Sequence, residues 1–361
     1  MQRRGWKNSC VTKLDPWRVV EESTALPMHI HPAFVGSGVL GCGIDSSGLQ
    51  SLDTELSSAF GVHPGGDSLY VLRHGYIGNA ITPKNFLPAG YLSWRLRKGE
   101  RWIDGRNLLQ AASLWHRTVD LRTASVETEM LLDRELRLRI RLFSPIGGNT
   151  VYIEVGLRGY DTRNRPLAKP IPIELSVDLN LVLRNGGPIF TRIETAGDAV
   201  TLDAVGHEKY SLRYRWQHDP AWRITHSENT YGLAYAGEIG NSETVLHGAI
   251  DFAAPPSPTN WNHTNSWQQH CSDWKVYWAQ MASIEIGDVE REFLFANSLY
   301  LLRSGHDCAQ GGTAQFLIQH QPGWHACTFW DMHEWHLVKG IMFLPCNYFD
   351  AEYRRISGEV Y

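Results

Sequence analysis

From Val35 to about Phe252, apolar and polar residues alternate one by one. The stretches "ELRLRIRLF" (Glu135 to Phe143), "TVYIEVGL" (Thr150 to Leu157) and "IELSVDLNLVL" (Ile173 to Leu183) show it most plainly. A period of two places alternate side chains on opposite faces of a strand. Turn chemistry closes these stretches at Gly147-Gly148, at Asp161 to Arg163 and at Asn185-Gly186-Gly187. Many strands at this spacing, with no long helical pattern between them, predict a large antiparallel β-sandwich. In "LRLRIRL" (Leu136 to Leu142) every second residue is arginine, which reads as the solvent face of one strand rather than a binding patch.

The alternation stops at "AAPPSPTNWNHTNS" (Ala253 to Ser266), a stretch rich in proline and asparagine. Beyond it the period is helical. In "GDVEREFLFANSLYLLRSG" (Gly287 to Gly305), Asp288 is placed as an N-cap, with Glu290 and Glu292 in the first turn. Phe293, Ala296, Leu299 and Tyr300 supply an apolar stripe, and Arg303 sits in the last turn before Gly305. A second helix is predicted from about Trp330 to Phe343, and a third begins near Asp350. The division expected is a β-sandwich over residues 1–265, a linker over 266–288 and an α domain starting at 289. Two or three helices bury little apolar surface by themselves, and Tyr361 falls inside a helical pattern. The expectation is therefore an incomplete α domain.

Composition narrows the class only slightly. The 361 residues are 43% apolar and 20% charged, as in an ordinary globular protein. A formal charge of −4 gives no electrostatic reason to expect nucleic acid or an anionic membrane as partner. No apolar run has the roughly 18 residues that a membrane helix needs, and no apolar stretch follows Arg3 and Arg4 as in a secretory signal. Six scattered cysteines form no CxxC pair, so free thiols in a cytoplasmic protein are expected.

Several short motifs then fall into order. "FVGSGVLGCGID" (Phe34 to Asp45) resembles the "NGxLG" opening of glycoside hydrolase family 65. "WHRTVDLRTASVETEM" (Trp115 to Met130) resembles that group's strand pair around "LDLR". Residues Trp274 to Gly305 look like its linker and first barrel helix, "TFWDMHEW" (Thr328 to Trp335) is similar to its "FWDTE" element, and "YRR" (Tyr353 to Arg355) is similar to the "YR" of the next helix. The resemblance implies a super-β-sandwich followed by the first helices of an (α/α)6 barrel. It also implies inverting hydrolysis or phosphorolysis of α-glucosides, with an oligosaccharide or glycoside as substrate, inorganic phosphate as co-substrate in the second case, and no cofactor. A homodimer is compatible with it. Within the element, Asp331 matches the aspartate, but Met332 replaces threonine, His333 stands in the glutamate position, and Glu334 comes one residue late. The group's general acid lies farther along the barrel, so this chain is expected to lack it.

The chemistry of "HACTFWDMHEWHLVKG" (His325 to Gly340) suits that implication. A pyranose offers hydroxyls at its edge and C–H patches on its faces, so its site needs polar groups beside an aromatic wall. Trp330 and Asp331 lead the candidates for a sugar subsite. Glu334 is three residues from Asp331 and shares a helical face with it, Phe329 is a stacking wall, and His325 is a donor to a hydroxyl. The plainer alternative is that Asp331 merely complements a helix dipole and that the aromatics are core. His325, Cys327, His333 and His336 carry zinc-ligating atoms, but "HEWH" spaces its histidines at i, i+3 rather than the i, i+4 of HExxH. "HIH" (His29 to His31) has no carboxylate nearby in sequence, so no metal is expected. No G-x-S-x-G elbow occurs, and "GSGVLG" (Gly36 to Gly41) lies among strands, where tight turns explain it better than a phosphate loop. A non-catalytic sugar-binding or structural β-sandwich module is the alternative from another class.

Overall fold

The alternating stretches form strands. A computed structural model describes residues 11–305, leaving out 28–32, 38–39, 52–68, 73–85, 89–90, 149, 161–164, 166, 168, 181–189, 197–198, 205–210, 218–221, 228–229 and 253–261. The first half contains β1 (Val11–Asp15), β2 (Arg18–Ser23), β3 (Ala33–Gly36), β4 (Leu40–Ile44), β5 (Leu69–Leu72), β6 (Phe86–Pro88), β7 (Tyr91–Lys98) and β8 (Arg101–Ile103). A single helical turn, α1 (Leu108–Ala111), leads into β9 (Ala112–Asp120), β10 (Ser125–Leu132), β11 (Leu136–Phe143), β12 (Thr150–Gly159) and β13 (Ile171–Asn180). Then follow β14 (Phe190–Ala196), β15 (Ala199–Ala204), β16 (Ser211–Gln217), β17 (Trp222–Ser227), β18 (Thr230–Ile239) and β19 (Thr244–Phe252). Two helices close the described chain, α2 (His263–Gln280) and α3 (Val289–Gly305).

Among the described residues all the strand pairings are antiparallel. Ten strands make one sheet in the order β1-β2-β9-β10-β11-β12-β19-β16-β15-β14. Five make a second, β17-β18-β13-β7-β8, and four make a third, β3-β4-β5-β6. One core lies between them. Leu136, Leu138, Ile140 and Leu142 of β11 are fully buried in it, together with Trp94 of β7, Val177 of β13, Leu233 of β18 and Val35 of β3. Each such side chain contributes about 1.5–3 kcal/mol by leaving water. The fold is a β-sandwich followed by helices.

Two stretches take a form that the alternation did not specify. The "VTKLDPWRVVEES" stretch before Val35 is an antiparallel hairpin, β1 with β2, closed by a turn at Pro16-Trp17. The segment set aside as a linker, 266–288, is mostly the body of α2. Its N-cap Asn262 accepts a hydrogen bond from the Asn265 amide at 3.0 Å. The predicted helix at 289 is as expected: the Asp288 carboxylate accepts from the Arg291 amide at 3.2 Å, and Ala296, Leu299 and Tyr300 are buried.

In the "FVGSGVLG" motif β3 pairs with β4, Gly36 opposite Gly41, and the motif runs into strand β4 rather than into the helix that a phosphate loop would require. Its glycine has a packing reason. A Cβ on Gly36 would stand 2.7 Å from the Ser304 carbonyl oxygen and 2.6 Å from the Phe34 ring. The C-terminal end of α3 rests directly on this hairpin, where the Tyr300 hydroxyl donates to the Phe34 carbonyl at 2.6 Å.

Candidate functional site

The sugar-subsite candidates His325, Phe329, Trp330, Asp331 and Glu334 lie outside the described residues, as do His29 to His31 and the helices predicted beyond 305. Within the described residues, polar chemistry concentrates where α2 crosses the outer face of the ten-stranded sheet.

Helix α2 reaches that face with His263, Trp267, His270, Trp274 and Tyr277, spaced alternately four and three apart. That spacing lays them along one side of the helix. Phe143 meets this row, with ring centroids 5.4 Å from His263, 5.0 Å from Trp267 and 4.7 Å from His270. The turn between β9 and β10 is the second contact. The Trp278 indole N–H donates to the Leu121 carbonyl at 2.8 Å, and His270 Nε2 lies 2.6 Å from the Thr123 carbonyl. Asp120 shapes that turn by accepting from the Arg122 and Thr123 amides. Thus the "VDLRTAS" motif carries α2 and the "FVGSGVLG" motif carries α3. Both are docking seats for helices.

Burial drives the His270 pKa down to about 4, against the raising effect of its hydrogen bonds to Thr123 and Ala124. The unfolded chain takes up this proton below about 6.5 and the folded chain does so only near 4. The stability contribution is therefore full above pH 6.5, is lost as the pH falls toward 4, and then levels off. For a fully buried ring this amounts to about 3 kcal/mol. Urea midpoints measured across pH 4 to 7 should fall more steeply in the natural protein than in His270→Gln. Parallel pH profiles would contradict this.

Beside the aromatic row lies a charged one. The strand register sets Glu127, Arg141, Glu154 and His247 directly across from one another on β10, β11, β12 and β19. Arg139, one pleat along β11, joins them. It donates to both Glu243 oxygens at 2.9 and 3.1 Å and to Glu154 Oε1. Gly156 leaves the room, since a Cβ there would stand 2.2 Å from the Glu243 carboxylate. Arg141 donates to Glu127 and covers the Trp267 ring at 5.1 Å. The arginines of "LRLRIRL" do point away from the core, as the alternation predicts, but α2 roofs part of that face.

Glu154 holds the centre. Burial alone would raise its pKa, but the His247 ring and the Arg139 and Arg141 guanidiniums outweigh that and hold it at about 2. Burial disfavours the charged form of Arg139, and the Glu243 and Glu154 carboxylates more than restore it, so its pKa lies above the ordinary value. The second Glu154 oxygen, Oε2, faces His247 Nε2 at 3.4 Å and His263 Nδ1 at 3.6 Å. Burial, with His247 alongside, takes His263 down to about 4 and keeps it neutral. The two imidazoles stack at 4.0 Å. Sequence reasoning missed this trio because its members come from β12, β19 and α2. Only the alternation placing Glu154 on the outer face was legible.

Among the described residues Cys42 and Cys271 are free thiols, and no helix is long and apolar enough to cross a membrane. The fully buried Cys42 thiol has its pKa pushed up to about 12, mainly by burial, which leaves it unreactive.

No protein-family model matches the sequence, and no curated protein matches it. Solved structures do match the fold. A protein from the human microbiome assigned provisionally as a kojibiose phosphorylase superposes on 90% of this chain with a TM-score of 0.58 and 11% identity. This chain covers 46% of that protein, less than half its length. A family GH92 α-mannosidase from Bacteroides thetaiotaomicron overlaps 49% of this chain and 26% of its own, at a TM-score of 0.32 and 8% identity. That overlap is too slight to support an argument. At 11% identity the first match speaks for the fold alone. On that evidence, the β-sandwich and the helices that follow it have a glycoside phosphorylase-like fold.

Proposed function

We propose that this chain is part of a carbohydrate-active protein that binds α-linked glucosides, with Trp330 and Asp331 in the sugar subsite and Glu334, His325 and Phe329 around it. The observation that carries the reading is the likeness to the provisionally assigned kojibiose phosphorylase over nine-tenths of the chain. The order of the "FVGSGVLG", "VDLRTAS" and "TFWDMHEW" motifs along the sequence supports it. The first two are the seats of α2 and α3, which precede the third in the sequence. In this proposal residues 1–361 bind sugar without turning it over. Inversion needs two carboxyl groups roughly 6.5–9.5 Å apart on opposite sides of the bond. The spacing of Asp331 and Glu334 assigns both to one helix face.

Calorimetric titration of the chain with kojibiose, maltose and trehalose, with and without phosphate, tests this. An ionised acceptor lost from a sugar hydroxyl costs about 1.5–3 kcal/mol. Asp331→Ala should therefore weaken binding by roughly 10-fold to 150-fold. Unchanged affinity in that variant would remove Asp331 from the site. No heat with any of the three sugars would favour a structural β-sandwich module instead.

A further inference from the structure

We propose that Glu154, His247 and His263 form a binding site for a divalent ion of the zinc class, which clips the first turn of α2 to the ten-stranded sheet. The three ligating atoms lie within 4.8 Å of one another. The two histidine–carboxylate distances, 3.4 and 3.6 Å, exceed the roughly 2.7–3.2 Å of a well-made N–H···O bond. They lie nearer the edges of a tetrahedral zinc shell, which are about 3.3–3.4 Å when each bond is about 2.0–2.1 Å, and in this proposal the two rings, stacked at 4.0 Å, tilt so that both nitrogens face the ion. The carboxylate is divided to suit: Oε1 is taken by Arg139, with Arg141 at 3.8 Å, and Oε2 is turned to the two rings.

Charge agrees with geometry. Arg139 and Arg141 stand against Glu127, Glu154 and Glu243, so among the described residues the cluster has one carboxylate more than it has guanidiniums. A cation between the carboxylate and the two imidazoles offsets that excess. Two nitrogens and one oxygen suit zinc and its transition-metal neighbours better than calcium or magnesium, which prefer all-oxygen shells. The His263 side chain is 5% exposed and that of His247 is 25% exposed, so the ion enters from the His247 side, where water completes the shell. The ligands come from β12, β19 and the start of α2, hence binding fastens the helix to the sandwich. Because α2 precedes α3, the clip fixes the direction in which the helices leave the sheet. The proposal does not depend on the sugar reading.

Cobalt(II) is the probe, because its visible d–d absorption reports a four-coordinate site directly. The full chain should develop that absorption at one equivalent and lose it to added zinc, and zinc should raise the thermal midpoint. His247→Ala, at a partly exposed position that truncation should not unfold, should bind at least ~100-fold more weakly, since loss of an outer-shell partner alone costs up to about that much. His116→Ala, on β9 outside the cluster, should bind as the natural chain does. Absence of the band in the natural chain, or an undiminished band in His247→Ala, would overturn the proposal. The natural-chain measurement decides even if a variant folds poorly.

Discussion

Arg139→Ala should destabilise the sandwich by about 3 kcal/mol, at the lower end of what breaking a buried ion pair costs. The side chain is 17% exposed and bridges Glu154, Glu243 and, at 3.6 Å, Glu127. Without it the Glu154 and Glu243 carboxylates lose their shared cation. Among the described guanidiniums Arg141 then remains near Glu154, at 3.8 Å. Part of the loss comes from repulsion, so adding Glu243→Ala to Arg139→Ala should recover stability. A double-mutant cycle by urea denaturation measures that coupling. Lys13→Ala is the contrast. Its partner Glu22 is well exposed, and water screens the pair, so the midpoint should stay where it was. Equal effects from the two substitutions would show that the polar face of β11 is no more than a solvated surface.

Trp274→Ala should cost about 3–5 kcal/mol, the usual range for emptying a large aromatic site. Trp274 is 1% exposed and sits among Tyr277, Trp278 and Tyr300, with ring centroids 5.2, 5.7 and 5.5 Å away. This cluster is separate from the core between the sheets and joins α2 and α3 to Leu121 and Ala124 of the β9–β10 turn. The damage should therefore be local. Amide exchange across α2 and α3 should accelerate while the strands of the inner core stay protected. Trp274→Phe should be far milder. Among the described residues the Trp274 indole nitrogen has no hydrogen-bond partner, so phenylalanine gives up volume but no bond. Uniform loss of protection across sheet and helices would mean that the two clusters melt as one.

The strands were legible because a strand on a sandwich must alternate. β11, β12 and β13 fall within two or three residues of where the alternation placed them. The helix at 289 was legible for the corresponding reason, with a cap, acids in its first turn and apolar residues at helical spacing. Helix α2 was not, because its buried face is written in His263, Trp267, His270 and Trp274 rather than in leucine and valine. Those residues look polar or ambiguous until the sheet that covers them is known. The β1–β2 hairpin escaped for lack of length, its strands being five and six residues around a proline turn.

The motifs behind the family resemblance were visible as short strings of glycine and charge, but their purpose was not. That Gly36 must lack a Cβ follows from where the Ser304 carbonyl stops, 268 positions later in the chain (304 − 36). The Glu154, His247 and His263 trio is the sharpest case. Composition offers sixteen histidines, and spacing directed attention to those that are neighbours in sequence. Local periodicity determined which face of its strand each residue occupies and where helices replace strands, because both depend on neighbours within a few residues. Which strand lies beside which, and where α2 crosses them, depends on burying the two faces of the sheet together. Only the tertiary structure decided that Glu154 would meet two imidazoles there.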